Sequence, residues 1–438
     1  MSARKGNDGT FKLYGLPWQI FGVAFIIIMT ATYTGALTTD MAGILALCIA
    51  LGGVLDEFGE RLPIWNTYIG GGILMCFIGT AVLKQFYLIP TKYLKAIDWF
   101  VSGNVNFLNL FIIFLITGSI LSLERKILLR SFAGYIPAIL GGVAASMILG
   151  VGTGLIFGIS PQNCLINYVL PIMGGGNGGG AVPLSQIYEQ VTGKPAATYY
   201  AFAIIILTIA NLMCIVAAAL LNNLGMKLPS WTGDKKTLVR GAEFEAGEKE
   251  AKVEPTMGDI AGALAVGVGA YVVGRVFSKL ILPTIFGAAI HHLAYMIIFV
   301  VILSATGVIP ANIRAGAKKI QSYMTNYGSP IVMVGMGVDF DLAELLRAAS
   351  LENVMVALMV VIGAILGSAL VGYLVGFYPI DSAITAGLCM ANRGGNGDLA
   401  VLGASERMDL MAYASLSSRL GGGIILVIGS FMFSFFLK

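Results

Sequence analysis

The feature that most constrains this chain is the recurrence of apolar stretches of bilayer-crossing length. A helix needs about 20 predominantly apolar residues to cross the hydrocarbon core. Such stretches lie at about 16–37, 41–55, 66–84, 99–121, 131–158, 198–221, 257–278, 284–307, 329–346, 353–377 and 411–435, the second and ninth being short. They predict an all-α polytopic membrane protein with about 11 transmembrane helices. Hydrophobic residues make up 57% of the 438 and charged residues 11%, where a soluble domain carries about 25% charged residues. A water-soluble enzyme, a disordered chain, a coiled coil and a disulfide scaffold are thereby excluded. The net charge of +4 is small and its basic residues are dispersed without interleaved aromatics, so no nucleic-acid partner is expected. The five cysteines sit in or beside apolar runs, without Cys-x-x-Cys spacing, and read as small buried hydrophobes. The first apolar run has no small-residue cleavage site and reads as a retained span.

Residues 225–256 break the pattern with six Lys/Arg and six Asp/Glu, the composition of a solvated linker. The expected organisation is therefore a tail and first span (1–40), a first half (41–224), a cytoplasmic linker (225–256) and a second half (257–438). With the N-terminus in the cytoplasm, alternation through the spans puts seventeen Lys/Arg inside, Arg407 among them, and eight outside. That agrees with the positive-inside rule. Arg393 and Arg419 are left within the membrane.

Two apolar stretches, 165–190 and 382–404, are interrupted by glycine. The first reads GGNGGGAV from Gly175 and the second GGNGDLAV from Gly394, identical at six of eight positions and offset by 219 residues (394 − 175). Combined with the span count, the two halves cross the membrane in opposite senses. This is the inverted-repeat plan of secondary transporters, in which broken helices meet near the midplane. The stretches are expected to be re-entrant hairpins, entering from outside and inside respectively. Non-helical backbone at that depth is tolerated only when buried in protein or lining a wet cavity.

Several residues at these breaks carry chemistry. Gly174, Gly176 and Gly179 fit G-x-G-x-x-G, but without a strand–helix context the match does not denote a dinucleotide site. Glycine instead lets the backbone open and present N–H and C=O groups, with close helix packing as the bland alternative. Arg393 precedes the second GGNG, and Arg419 stands about nine residues into the last span. At 1.5 Å per residue that is about 13 Å deep. An arginine there costs at least about 2.5–3.5 kcal/mol without a partner or a wet cavity. Either the arginines pair internally, as Arg393 with Asp398, or they offer forks to a substrate with two or more carboxylates. Asn177, Asn392, Asn396, Ser415, Ser417 and Ser418 cluster nearby and supply hard oxygen ligands of the kind Na⁺ uses in broken-helix transporters. His291 and His292 are expected to pack or to sit at the interface, and Asp56, Glu57, Glu60 and Arg61 to form a charged loop.

PIMGGGNGGGAVPLS (171–185), ANRGGNGDLAVLGASERM (391–408), SSRLGGG (417–423) and FGERLPIWNTYIGGG (58–72) occur in order over essentially the whole chain. In these motifs the chain resembles the bacterial 2-hydroxycarboxylate transporters, which move citrate, malate and related acids. The resemblance implies a cation symporter, not an enzyme, with Na⁺ as the coupling ion and no other cofactor. It further implies a homodimer surrounded by lipid in the bacterial cytoplasmic membrane. A transport domain holding both hairpins would slide as an elevator against a dimerisation domain. Carried over by position, the substrate site falls on Asn177, Gly178, Arg393, Gly395, Asn396 and Arg419. The sodium ligands fall on Gly175, Asn177, Cys389, Met390, Asn392 and Ser418. Some sodium–citrate members carry Ser where this chain has Asn396, a longer donor that bears on the choice between citrate and malate. Proton coupling and malate/lactate-type precursor–product exchange are the alternatives within the family. The membrane subunit of a sodium-pumping decarboxylase is the rival from another class.

Overall fold

The computed structural model describes residues 11–63, 65, 71–123, 134–240, 253–285, 288–340 and 350–437. They are overwhelmingly helical; the strands are two-residue pairs at Lys12–Leu13 with Leu16–Pro17 and at Thr284–Ile285 with Ala288–Ala289. Six helices among the described residues are long and apolar enough to cross a membrane. They are Met41–Arg61, Tyr135–Ile156, Ala196–Lys227, Met257–Ile281, Leu351–Leu374 and Met408–Phe436. Shorter apolar helices cover Trp18–Thr34, Gly71–Gln85, Phe107–Leu121 and His292–Thr306.

Several boundaries differ from the hydropathy reading for local reasons. Helices α1 (Trp18–Thr34) and α2 (Met41–Arg61) are separated at Gly35, which closes α1 in the left-handed conformation. The Asp40 side chain caps α2 by accepting from Gly43 N–H at 2.9 Å. That N–H, with the Thr38 hydroxyl, holds the exposed Asp40 carboxyl below its usual range. Asp56, Glu57, Glu60 and Arg61, expected as a loop, are instead the last turns of α2. There Arg61 pairs with Glu57 one turn back, and the Glu60 carboxylate receives Gly72 N–H at 3.0 Å. The 99–121 stretch is two elements after α3 (Gly71–Gln85). An amphipathic α4 (Thr91–Val101) buries Tyr93, Ile97 and Phe100. The chain then turns through Asn106 at φ +50° into α5 (Phe107–Leu121); asparagine tolerates that left-handed conformation. The 284–307 stretch opens with a strand pair, and its helix starts only at His292, where His291 Nδ1 accepts from Leu293 N–H. In the 329–346 stretch the helix runs Ser329–Val338, and 341–349 lies outside the described residues.

The chain divides into two compact units. The first comprises Met1–Phe111, Pro195–Thr198 and Tyr323–Glu344. Its core forms where small residues let helices approach. A Cβ on Gly52 would stand 3.1 Å from Pro330, one on Gly335 2.4 Å from Val101, and one on Gly337 2.4 Å from the Phe77 carbonyl.

The second unit holds both glycine breaks. Its spine is the pair Tyr135–Ile156 and Leu351–Leu374, matched along their lengths. Gly141 meets Gly367 and Val371, Gly142 meets Ala364 and Ser368, and Gly150 meets Val360, so the two helices run antiparallel. Ser146 donates to the Val360 carbonyl at 2.8 Å across this seam. Each helix of the pair leads into a broken segment. The first segment starts at Pro161 behind a Ser160 cap and the second at Pro379, proline at the first helical turn being pre-shaped for a start. Both begin a few residues earlier than the glycine pattern predicts.

The bases of the two segments are held differently. Thirteen residues after Gly175, Tyr188 stacks on Tyr199 with ring centroids 5.3 Å apart, and both stand edge-on to Phe433. Thirteen residues after Gly394 stands Arg407. Although assigned above to the cytoplasmic charge count, it is fully buried, with Nε 2.6 Å from the equally buried Asp381. Arg407 also donates to Asn222 at 2.9 Å, to Thr232 at 2.6 Å and to the Ser405 carbonyl. Thr232 in turn donates to Asp381 at 2.8 Å.

Thr232 belongs to the segment expected as a solvated linker. Residues 226–231, Asp234, Lys236, Val239 and Arg240 are exposed, but the segment also touches the core: Thr232 and Leu238 are buried, Tyr378 N–H donates to the Leu238 carbonyl, and Arg240 N–H donates to the Gly376 carbonyl. The Tyr378 amide and the Gly376 carbonyl near the second base thus find their partners in this part of the chain. Residues 241–252 lie outside the described residues. Removing one member of the pair, as in Arg407→Met or Asp381→Ala, strands the other charge in the interior. The expected cost is about 3–5 kcal/mol, read as a lowered thermal unfolding midpoint in detergent, with Asp381→Glu less damaging than Asp381→Ala.

Candidate functional site

The two breaks meet. The first segment is helical to Ile172, opens at 173–176, and resumes as a wide π turn at Asn177–Ala181 before the helix Val182–Thr192. The second is helical to Leu388, opens at 389–395, and resumes at Asn396. Where they cross, Gly175 N–H donates to the Met390 carbonyl and Asn177 N–H donates to the Arg393 carbonyl, both at 3.2 Å. Glycine is required here on two counts. Gly175 and Gly176 have φ of +74° and +107°, and a Cβ on them would stand 2.1 Å from the Ser418 carbonyl oxygen and 2.4 Å from that of Arg393. The two backbones touch here because no side chain separates them.

The last span is also broken at this level. Ser417–Gly421 forms a π turn between Met411–Leu416 and Gly422–Phe436, and such turns recur at functional sites because they leave carbonyls unpaired. The Ser418 hydroxyl lies within hydrogen-bonding reach of the Asp398 carboxylate (2.6 Å) and the Cys389 carbonyl (3.1 Å). The other Asp398 oxygen accepts from Asn392 Nδ2 at 3.0 Å, while Asn392 Oδ1 accepts from Gly394 N–H at 2.6 Å. Asp398, Asn392, Cys389 and Met390 are buried. Of the expected cation ligands, Cys389, Asn392 and Ser418 are therefore joined with Asp398 in one cluster of oxygens, and Gly175 and Met390 bond to each other at the adjoining crossing. Asn177 sits at the same crossing but is committed elsewhere: its Oδ1 accepts from the Tyr200 hydroxyl at 2.8 Å.

The expected substrate residues border the other side. Arg393 and Arg419 are half-buried, as are Gly178 and Gly394, and Gly395 is exposed, so solvent reaches this face of the crossing. Asn396 opens the helix Asn396–Ala404, and its side chain lies outside the described residues. Arg393 is steadied through its backbone, whose N–H donates to Asn211 Oδ1 at 3.2 Å. Arg419 Nη1 donates to the Ser122 hydroxyl at 2.7 Å.

Asp398 is not the ion-pair partner of Arg393 considered above; its oxygens are held by Ser418 and Asn392. It places a carboxylate among carbonyl, amide and hydroxyl oxygens, a donor set of hard ligands suited to a hard cation. The signal was present in the repeat, since Asp398 stands where the first motif has Gly179. Tyr200, Asn211 and Ser122 carried no motif. The histidines do pack: both are buried, with rings 4.1 Å apart and Tyr271 edge-on to His292. All five cysteines are buried thiols.

Comparison with known proteins places these features in context. The family model of the 2-hydroxycarboxylate transporter family matches residues 13–431. The citrate/sodium symporter of Salmonella typhimurium is 45% identical over 97% of this chain and 95% of its own length. That of Klebsiella pneumoniae is 46% identical over the same shares. The malate transporter MleP of Lactococcus lactis is 32% identical over 97% of this chain and 98% of its own.

Gly175→Ala tests the crossing itself. The added methyl meets the Ser418 carbonyl in a conformation L-residues rarely adopt, at a cost of about 1–3 kcal/mol from backbone strain alone. The unfolding midpoint should fall clearly, whereas Gly152→Ala, inside a helix where a methyl meets nothing within 4 Å, should leave it unchanged or slightly raised, alanine being the better helix former.

Proposed function

The chain belongs to the 2-hydroxycarboxylate transporter family, and from that membership and the crossing of the two breaks we propose a sodium-coupled symporter of a 2-hydroxy di- or tricarboxylate such as citrate or malate. It is a multi-pass membrane transporter and not an enzyme. The observation that carries the reading is the adjacency at one crossing of a buried oxygen cluster around Asp398 and a solvent-reached face bearing Arg393 and Arg419.

In this reading the guanidinium groups bind carboxylates as forks, and the tips at Gly178 and Gly395, with Asn177 and Asn396, complete the substrate site. Na⁺ is held by the carbonyls of Gly175, Cys389 and Met390 with Asn392, Ser418 and Asp398. A buried carboxylate is costly without a counter-charge, so a cation entering this cluster is favoured by Asp398 itself. The stretch 389–395 lines the ion cluster at one end and carries Arg393 and Gly395 at the other. An ion that fixes it thereby orders the substrate-binding face, which couples the two fluxes.

The remaining features follow the same reading. The antiparallel pairing of Tyr135–Ile156 with Leu351–Leu374, each leading into a break, supports two inverted repeats with re-entrant hairpins. Alternating access is by an elevator motion in a homodimer, in the bacterial cytoplasmic membrane with the N-terminus inside. Sodium symport of citrate is favoured over proton coupling or exchange because the chain stands nearer the citrate/sodium symporters, at 45–46% identity, than the malate transporter, at 32%.

Purified protein in liposomes should take up labelled citrate or malate when an inward Na⁺ gradient is imposed at fixed pH. Uptake driven only by a pH gradient, or only by internal acid, would replace the coupling assignment. Arg419→Ala should abolish uptake while leaving folded protein. Arg393→Lys should raise KM about tenfold, the worth of about 1.4 kcal/mol, as a point charge replaces a fork. Asp398→Asn should shift half-activation by Na⁺ upward at least about tenfold, with a smaller effect on KM at saturating Na⁺.

A further inference from the structure

We propose that the C-terminal end of α5 forms a third wall of the carboxylate site, with Ser122 as the residue that positions the Arg419 guanidinium. The inference rests on the functional reading above and adds to it a residue outside every glycine motif.

Two contacts bring α5 to the crossing. Ser122, one residue past the end of the helix, accepts from Arg419 Nη1 at 2.7 Å. Leu115, seven residues earlier and hence on the same face, lies where a Cβ on Gly178 would meet its Cδ1 at 3.2 Å. One face of α5 thus borders both a substrate-side arginine and the tip of the first break.

This end of α5 is anchored. Arg314 donates to the Leu121 carbonyl at 3.0 Å through Nε and to that of Leu123 at 2.6 Å through Nη2. Gly118 admits the helix that carries Arg314, since a Cβ there would stand 2.6 Å from the Ala317 carbonyl. The Ser122 hydroxyl hydrogen is directed to the Ser119 carbonyl at 3.1 Å, which leaves its oxygen as an acceptor. A helix C-terminus is the negative end of its dipole and favours cations.

The consequence lies in which edge of the guanidinium remains. With Nη1 on Ser122, the Nε and Nη2 N–H groups have no protein acceptor among the described residues, and that edge matches a carboxylate bidentately. Ser122 thereby chooses the edge presented and withholds rotamer freedom from a long side chain before substrate arrives.

The test compares wild type, Ser122→Ala and Ser122→Thr in proteoliposomes under a fixed Na⁺ gradient, with citrate and malate as probes. Ser122→Ala should raise KM for the transported acid about 5- to 15-fold, the upper end of what an ordinary hydrogen bond contributes. The maximal rate should stay within about twofold and Na⁺ half-activation at saturating acid should be unchanged. Ser122→Thr, which keeps the acceptor, should restore KM to within about threefold. A KM unchanged in Ser122→Ala overturns the proposal, and so does a lowered KM, which would make Ser122 a competitor of the substrate. A raised KM that threonine fails to restore in a folded variant also overturns it. Absence of carboxylate uptake by the wild type would strike the functional reading instead, and is separately visible.

Discussion

The structure depends on where unwound backbone finds its partners. Opening two helices within apolar surroundings frees N–H and C=O groups, each costly to leave unmatched. Here the two openings satisfy one another. Gly175 and Asn177 donate into the second break, while Asn392, Asn211 and Ser418 meet N–H or C=O groups of 389–394. The Ser417 hydroxyl takes the Thr385 carbonyl beside a π turn. The glycines, the asparagines and the adjoining serines are therefore one solution to one accounting problem. Any side chain between the breaks would separate the donors from their acceptors. On the proposed sodium site, the Cys389 and Met390 carbonyls would serve both this account and the cation, so ion binding would be tied to the ordering of the break.

Much of this was legible in the sequence, and the exceptions have physical causes. Membrane helices announce themselves by length and apolarity, and the GGNG repeat located both breaks. Apolar content could not place element ends. The 99–121 window merged α5 with the end of amphipathic α4, whose periodicity is helical but whose mean hydropathy is low, and α2 outran its apolar stretch because Glu57 and Arg61 pair along the helix. Charge was the poorer guide. Arg407 looked like a cytoplasmic loop residue because its partners, Asp381, Asn222 and Thr232, come from three distant parts of the chain. Thr232 and Leu238 looked solvated because their partners, the Arg407–Asp381 pair and the Tyr378 amide, lie far along the chain. At the site, Asp398 was visible as the charged one of the two differences between the motifs. Ser122 and Tyr200 were not, since a lone hydroxyl in an apolar run usually bonds back to its own helix.

The arginines show how burial divides roles among identical side chains. Arg407 is sealed, and its network engages Nε, Nη1 and Nη2. Arg314 spends itself on the carbonyls that end α5. Arg419 is half-buried with one nitrogen held by Ser122. In the proposed site, what would suit Arg419 to a ligand is free donor geometry beside solvent, more than depth in the membrane.

The unlike bases of the two broken segments have a further consequence. At matching distance from its glycine motif, one base is an aromatic stack of Tyr188, Tyr199 and Phe433, and the other a sealed ionic knot of Arg407 and Asp381. A perfectly two-fold carrier would rest equally in its outward- and inward-open forms. Unlike bases remove that degeneracy, and each 1.4 kcal/mol of difference between the forms skews the empty carrier about tenfold toward one side. On the proposed alternating-access reading, the direction in which an unloaded carrier waits would be open to tuning at the periphery, without touching the residues proposed to hold the cargo.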